Sequence, residues 1–180
     1  MLTLFLRISP LLIALASSAA EGLEWQVELG QGIQPSHVEQ HHLFRVALHK
    51  PLPWSWYESN TGKLSSGFSI GGGLWRGDDR NTGEVFITPE LRYEWTPLET
   101  GTQWFVEAGV GGHLFSRTDY AKRGPFSTAF QFGERLGAGV RFGEQSAQDL
   151  TLMYQHHSNA DIKTPNYGAD FVVLRYGFKM

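Results

Sequence analysis

Residues 85–95, VFITPELRYEW, sort their side chains into two sets of opposite character. Val85, Ile87, Pro89, Leu91, Tyr93 and Trp95 fall on one side, and Phe86, Thr88, Glu90, Arg92 and Glu94 on the other. Successive side chains of a β-strand point to opposite faces, so this period of two predicts a strand between an apolar and a polar environment. The pattern recurs on both sides of the segment. Trp104, Val106, Ala108, Val110, Gly112 and Leu114 alternate with Phe105, Glu107, Gly109, Gly111 and His113. Leu136, Ala138, Val140 and Phe142 alternate with Arg135, Gly137, Gly139 and Arg141. Further strands are expected over 25–31, 43–49, 67–74, 150–157 and 170–178, which makes eight.

Such a set of strands could form a sandwich with one wet face. A membrane barrel fits better for three reasons. Many of the runs have about ten residues, the length a tilted transmembrane strand needs. Aromatics gather near the strand ends, at Trp54, Trp56, Tyr57, Trp75, Tyr93, Trp95, Trp104, Tyr176 and Phe178, as an interfacial girdle requires. Glu90, Arg92, Glu107, Arg135 and Arg141 share the alternate face with small residues, which suits the narrow inside of an eight-stranded barrel. The expected fold is all-β, an eight-stranded antiparallel transmembrane β-barrel.

Residues 1–20, MLTLFLRISPLLIALASSAA, read as a secretory signal peptide. Arg7 supplies the charge, 11–16 the apolar run, and Ser18-Ala19-Ala20 the small-residue cleavage pattern. Residues 21–180 then form one barrel domain. The chain has no cysteine, which excludes disulfides, a thiolate nucleophile and sulfur-ligated metals. A net charge of −3 with no basic block argues against nucleic acid as a partner. Export and barrel strands together point to the outer membrane of a Gram-negative bacterium, with outer-membrane lipids as neighbours. A homodimer is compatible with such a barrel.

The segment 156–170, HHSNADIKTPNYGAD, joins the last two expected strands. His156 and Ser158 are two residues apart and share the face of Leu150, Leu152 and Tyr154. Asp170 opens the next strand on the face of Val172, Leu174, Tyr176 and Phe178. A serine nucleophile, a histidine base and a carboxylate that orients the histidine would thus stand on the apolar side of the sheet, where a lipid substrate would lie. The i and i+2 Cα atoms are roughly 7 Å apart, within reach of a hydroxyl–imidazole contact. Asp170 reaches the pair if the two strands form a hairpin. Oxyanion donors are sought in Asn159, Asn166 and the backbone N–H groups around Ala160 and Asp161. With both termini on the inner side, this end of the hairpin lies at the outer rim.

This segment closely resembles the signature of the outer-membrane lipid A 3-O-deacylase (PagL-type) family, which has a His-x-Ser-Asn motif, a Pro-Asn a few residues on and a downstream acid. Weaker likeness extends to Ser59-Asn60-Thr61-Gly62-Lys63-Leu64, to 105–111 and to 135–139, and so spans most of the mature chain. The resemblance implies an eight-stranded barrel with its active site facing the bilayer. It also implies hydrolysis of the ester that joins a 3-hydroxyacyl chain to position 3 of lipid A, the lipid anchor of lipopolysaccharide. By position it assigns His156 and Ser158 as catalytic, Asn159 as the asparagine that follows, and Asn166 to the oxyanion site. Asp170 stands where well-known members carry a glutamate, so the charge is kept with one methylene less of reach.

The remaining polar features have plainer readings. His157 points away from His156 and is expected to hydrogen-bond in the lumen or at the rim. His37, His41, His42 and His49 lack the acids or cysteines that would complete a metal site, and the serine mechanism needs neither metal nor cofactor. Arg76, Arg80, Lys122, Arg123 and Lys163 fall in expected outer loops, where lipid A phosphates could meet them. Two other readings compete: a non-catalytic barrel of adhesin or structural type, and a soluble exported sandwich.

Overall fold

The computed structural model describes residues 22–34, 41–77, 80–120 and 126–179. The expected signal peptide, His37, Lys122 and Arg123 lie outside them. Eight strands are present: β1 (Glu24–Gln34), β2 (His42–Glu58), β3 (Gly62–Arg76), β4 (Asn81–Trp95), β5 (Gln103–Phe115), β6 (Phe130–Phe142), β7 (Gln148–Ser158) and β8 (Ala169–Lys179). Each pairs antiparallel with the next, and β8 returns to β1 to close a barrel. Closure removes every long sheet edge and excludes the sandwich. Glu24 stands opposite Lys179 in the β1–β8 register, so both ends of the barrel lie on one rim.

Every expected strand is found, but β2 and β3 run well past 43–49 and 67–74. The extension passes Pro51, Pro53 and Ser65-Ser66, and the β2–β3 register shifts twice between Pro51 and Tyr57. Bulges of this kind break the period of two that a sequence reading follows. On β4 the pairing to β5 skips Thr88 and Pro89, where proline has no N–H to give.

The two faces are inverted relative to a water-soluble protein. Outside, Leu29, Ile70, Val85, Ile87, Val110, Leu136 and Leu152 are exposed, several by more than half their surface. A continuous apolar belt of this extent would be a liability in water and is what a bilayer requires. Inside, charged side chains stack in layers. Arg45 binds Glu84 through Nε at 2.8 Å and Nη2 at 2.9 Å, and reaches Glu28 at 3.2 Å. Below it, Arg135 pairs with Glu90, and His49 Nδ1 lies 2.5 Å from the same carboxylate. Arg175 and Arg92 share Glu107 in the next layer, at 2.6 and 2.9 Å. Arg141 joins Glu94 and Glu24 near the terminal rim. Each buried charge thus meets its opposite, the condition under which desolvation is offset.

Trp75 departs from the girdle assigned to it. On β3 the outward residues are even-numbered, Ile70 and Leu74 among them, so Trp75 points inward and is fully buried. It packs edge-on against Phe115 and Tyr120 with ring centroids 4.7 and 5.6 Å away. With Phe126, Phe171 and Leu43 it forms an aromatic plug at the rim opposite the termini. Trp54, Trp56, Tyr57, Trp95, Trp104 and Tyr176 do stay exposed, toward the terminal rim.

Candidate active site

The outward apolar belt is interrupted by polar groups where β6, β7 and β8 approach the plugged rim. His156 pairs in register with Asp170 on β8 and with Glu134 on β6. Directly opposed side chains on one sheet face have Cβ atoms about 4.5–5.5 Å apart, so the three form one polar row. His156 Nδ1 is hydrogen-bonded to Asp170 Oδ1. The imidazole is 36 % exposed and the carboxylate 17 %, open to the outside of the barrel and not to its lumen. Asp170 therefore reaches His156 although its side chain is short, because the hairpin register sets the two face to face.

Ser158 ends β7 on the same outward face, half-buried. Among the described residues no hydrogen bond joins its hydroxyl to His156. Gly168 supports the imidazole from the loop. Its φ of +64° is a conformation that side chains resist, and a Cβ there would lie 3.0 Å from His156 Cε1 and 3.2 Å from the His157 carbonyl oxygen. Gly168→Ala is expected to lower turnover at least tenfold or so by strain and by crowding the ring, with the barrel still folded. Activity assays beside heat-modifiable gel mobility check this.

The loop between β7 and β8 separates the expected oxyanion donors. Asn159 lies on the inward face and is buried. Its Nδ2 donates to Ser127 Oγ at 2.7 Å and to the Lys163 carbonyl at 2.8 Å, so these donors brace the loop and do not open onto the outer wall. Its backbone N–H donates to Asn166 Oδ1 at 3.1 Å, which orients the Asn166 amide. Ala160 and Asp161 adopt φ of 51° and 59°, and among the described residues no backbone carbonyl accepts from their N–H groups. Asn166 and these backbone donors are the ones left for an anion.

His157 faces inward as expected. Its Nε2 lies 3.1 Å from Arg45 Nη2, an arrangement in which the guanidinium donates to the ring. His157, His113 and Glu84 bring ligand-type atoms within 4.8 Å of one another. Arg45 and Trp75 Nε1 already donate to that carboxylate, so a cation there would face a guanidinium. His41 points into the mouth of the barrel beside Tyr120 and His42 points out.

Two polar residues of this wall escaped the sequence reading. Glu134 shares the outward face of Leu136 and Ala138, one residue before the alternating run that begins at Arg135. Tyr154 reads as one more apolar belt residue, yet it stands on the outward face of β7 diagonal to Asp170 on β8 and Glu134 on β6.

Residues 42–179 match the family model described as Lipid A 3-O-deacylase (PagL). The chain belongs to the PagL family. It is 33% identical over 177 residues to the lipid A deacylase PagL of Bordetella bronchiseptica, covering 96% of this chain and 93% of that protein. Its identity to the lipid A deacylase PagL of Pseudomonas aeruginosa is 30% over 135 residues, with 74% and 75% covered. The crystal structure of the outer membrane enzyme PagL superposes with a TM-score of 0.76 at 25% identity, covering 87% of this chain and 99% of that one. Neisserial surface protein A shares the fold, with a TM-score of 0.53 at 13% identity over 89% of this chain and 98% of its own. As a PagL-family member the chain is a hydrolytic deacylase, which sets aside the non-catalytic barrel, and its barrel belongs to the outer membrane of a Gram-negative bacterium.

Proposed function

We propose that the chain removes the 3-hydroxyacyl group esterified at position 3 of lipid A, using Ser158, His156 and Asp170 on the bilayer-facing wall in the outer leaflet. The observation that carries this reading is the hydrogen-bonded His156–Asp170 couple on the outside of a membrane barrel, with a serine two residues along the same face. An imidazole and a carboxylate on an apolar wall are costly without a purpose. A substrate that is itself a membrane lipid supplies one.

The chemistry follows from the groups. A turn of the Ser158 side chain brings Oγ toward His156 Nε2, which accepts its proton as Oγ attacks the ester carbonyl. Asp170 fixes the tautomer with the proton on Nδ1 and stabilises the imidazolium. Asn166 and the N–H groups of Ala160 and Asp161 are suited to hold the oxyanion. Collapse breaks the bond to the sugar oxygen, which takes the proton from His156 and leaves the acyl group on Ser158. Water, deprotonated by His156, then attacks the acyl-enzyme; the fatty acid departs and Ser158 regains its proton. The match to a lipid A 3-O-deacylase family model supports lipid A as the substrate and position 3 as the site of attack.

Purified barrel assayed in mixed micelles of lipid A and detergent tests the reading, with release of 3-hydroxy fatty acid as the signal. Asp170→Asn is expected to lose most of the activity yet retain turnover roughly a hundredfold above Ser158→Ala, since an orienting acid is worth less than the nucleophile. Wild-type turnover in Asp170→Asn would show that another group holds His156.

A further inference from the structure

We propose that Ser127, in the loop between β5 and β6, is a positioning residue: its hydroxyl locks the β7–β8 loop so that the Asn166 amide stays aimed at the oxyanion. The proposal rests on the reading that gives Asn166 that role, and deepens it. Ser127 Oγ donates to the Lys163 carbonyl oxygen at 2.7 Å and accepts from Asn159 Nδ2 at 2.7 Å. Asn159 Nδ2 also donates to the Lys163 carbonyl at 2.8 Å, which closes a ring of three hydrogen bonds. Both amide hydrogens of Asn159 and the single hydroxyl hydrogen of Ser127 are used in it, and the carbonyl takes two. From the same Asn159, the backbone N–H donates to Asn166 Oδ1 at 3.1 Å and the carbonyl accepts from the Ile162 N–H at 3.1 Å. A backbone N–H can be met only by the amide oxygen, so this bond fixes which way the Asn166 amide is turned and presents its NH2 group.

Ser127 can anchor the loop because its own segment is fixed. Phe126, one residue before it, is buried in the aromatic plug, with its ring centroid 4.7 Å from that of Tyr120 and 5.2 Å from that of Phe115. The Phe126 backbone N–H donates to the Thr118 carbonyl at 3.0 Å. One residue after Ser127, the Thr128 carbonyl accepts from Gln131 Nε2 at 2.7 Å, at the start of β6. The loop that needs the anchor has exposed residues from Ala160 to Pro165, and Ala160 and Asp161 hold positive φ. Such a conformation persists only where the surroundings impose it, and an oxyanion donor is effective only at a fixed position. The bonds from Asn159 to Ile162, Lys163 and Asn166 all lie within one loop. Ser127 ties that loop to a second hairpin and, through Phe126, to the plug. Asn159 is buried and turned inward, so the ring sits behind the donors and away from the reacting atoms.

Steady-state kinetics with micellar lipid A tests this, with heat-modifiable gel mobility to show that each barrel is folded. Ser127→Ala removes both bonds of the hydroxyl. Its kcat is expected to fall roughly tenfold with KM within about twofold of wild type, since substrate still binds while the oxyanion donor strays. Ser127→Thr keeps the hydroxyl and should return kcat to within about threefold of wild type. Asn166→Ala should lose roughly a hundredfold by itself. Adding Ser127→Ala to it should cost less than about twofold more, because the donor that the brace positions is already gone. Unchanged kcat in Ser127→Ala overturns the proposal, and so does a loss confined to KM. A Ser127→Thr variant as slow as Ser127→Ala, or a full loss from Ser127→Ala that persists beside Asn166→Ala, overturns it as well. Full activity in Asn166→Ala, with Ser158→Ala inactive, would remove the oxyanion role on which the proposal rests. An impaired Asn166→Ala beside a fully active Ser127→Ala removes the brace alone.

Discussion

Ser158→Ala should abolish acyl release while the barrel folds and inserts as before, with turnover falling by about three orders of magnitude or more. The serine is half-buried at the end of β7 and makes no side-chain hydrogen bond among the described residues, so deleting its oxygen removes chemistry and no support. A loss this large without a change in heat-modifiable mobility separates a nucleophile from a rim-shaping loop residue. A fall of less than tenfold would mean that water attacks directly, with His156 as its base, and Ser158 would lose its role.

Arg45→Ala is expected to produce the largest loss of stability, about 3–5 kcal/mol, because it leaves buried charges unpaired. Arg45 holds Glu84 with two hydrogen bonds, Glu28 with a third and the Gln155 side-chain oxygen at 2.5 Å with a fourth. None of these groups can turn to water, since Arg45, Glu28 and Glu84 are all buried. Adding Glu84→Gln should recover part of the loss by removing one orphaned charge. Urea unfolding in detergent micelles, followed by gel mobility, measures both changes. Equal stability for wild type and Arg45→Ala would show that lumen water, and not the ion-pair column, solvates the carboxylates.

Much of this molecule was readable from alternation. The run 85–95 assigns Glu90 and Arg92 to the lumen and Leu91 to the belt, and the structure agrees. His156 and Asp170 share a face with their flanking apolar residues, so a period of two places both outside. What alternation cannot supply is register. That Glu134, His156 and Asp170 form one row depends on how the β6–β7 and β7–β8 hairpins turn, which no spacing within a strand encodes. Trp75 has the aromatic type of a girdle residue, but its odd position on β3 puts it in the plug. Asn159 was assigned by type as an oxyanion donor, but its position one residue past Ser158 turns its amide inward toward Ser127. In both cases the face a residue occupies outweighed its chemistry.

The most direct test of the central claim is mass spectrometry of lipid A from Gram-negative cells that express the wild-type chain. The account predicts that one 3-hydroxyacyl mass is lost, that fragmentation places the loss at position 3, and that cells expressing Ser158→Ala show no loss. Intact lipid A in the wild-type cells, with the barrel folded in the outer membrane, would contradict it.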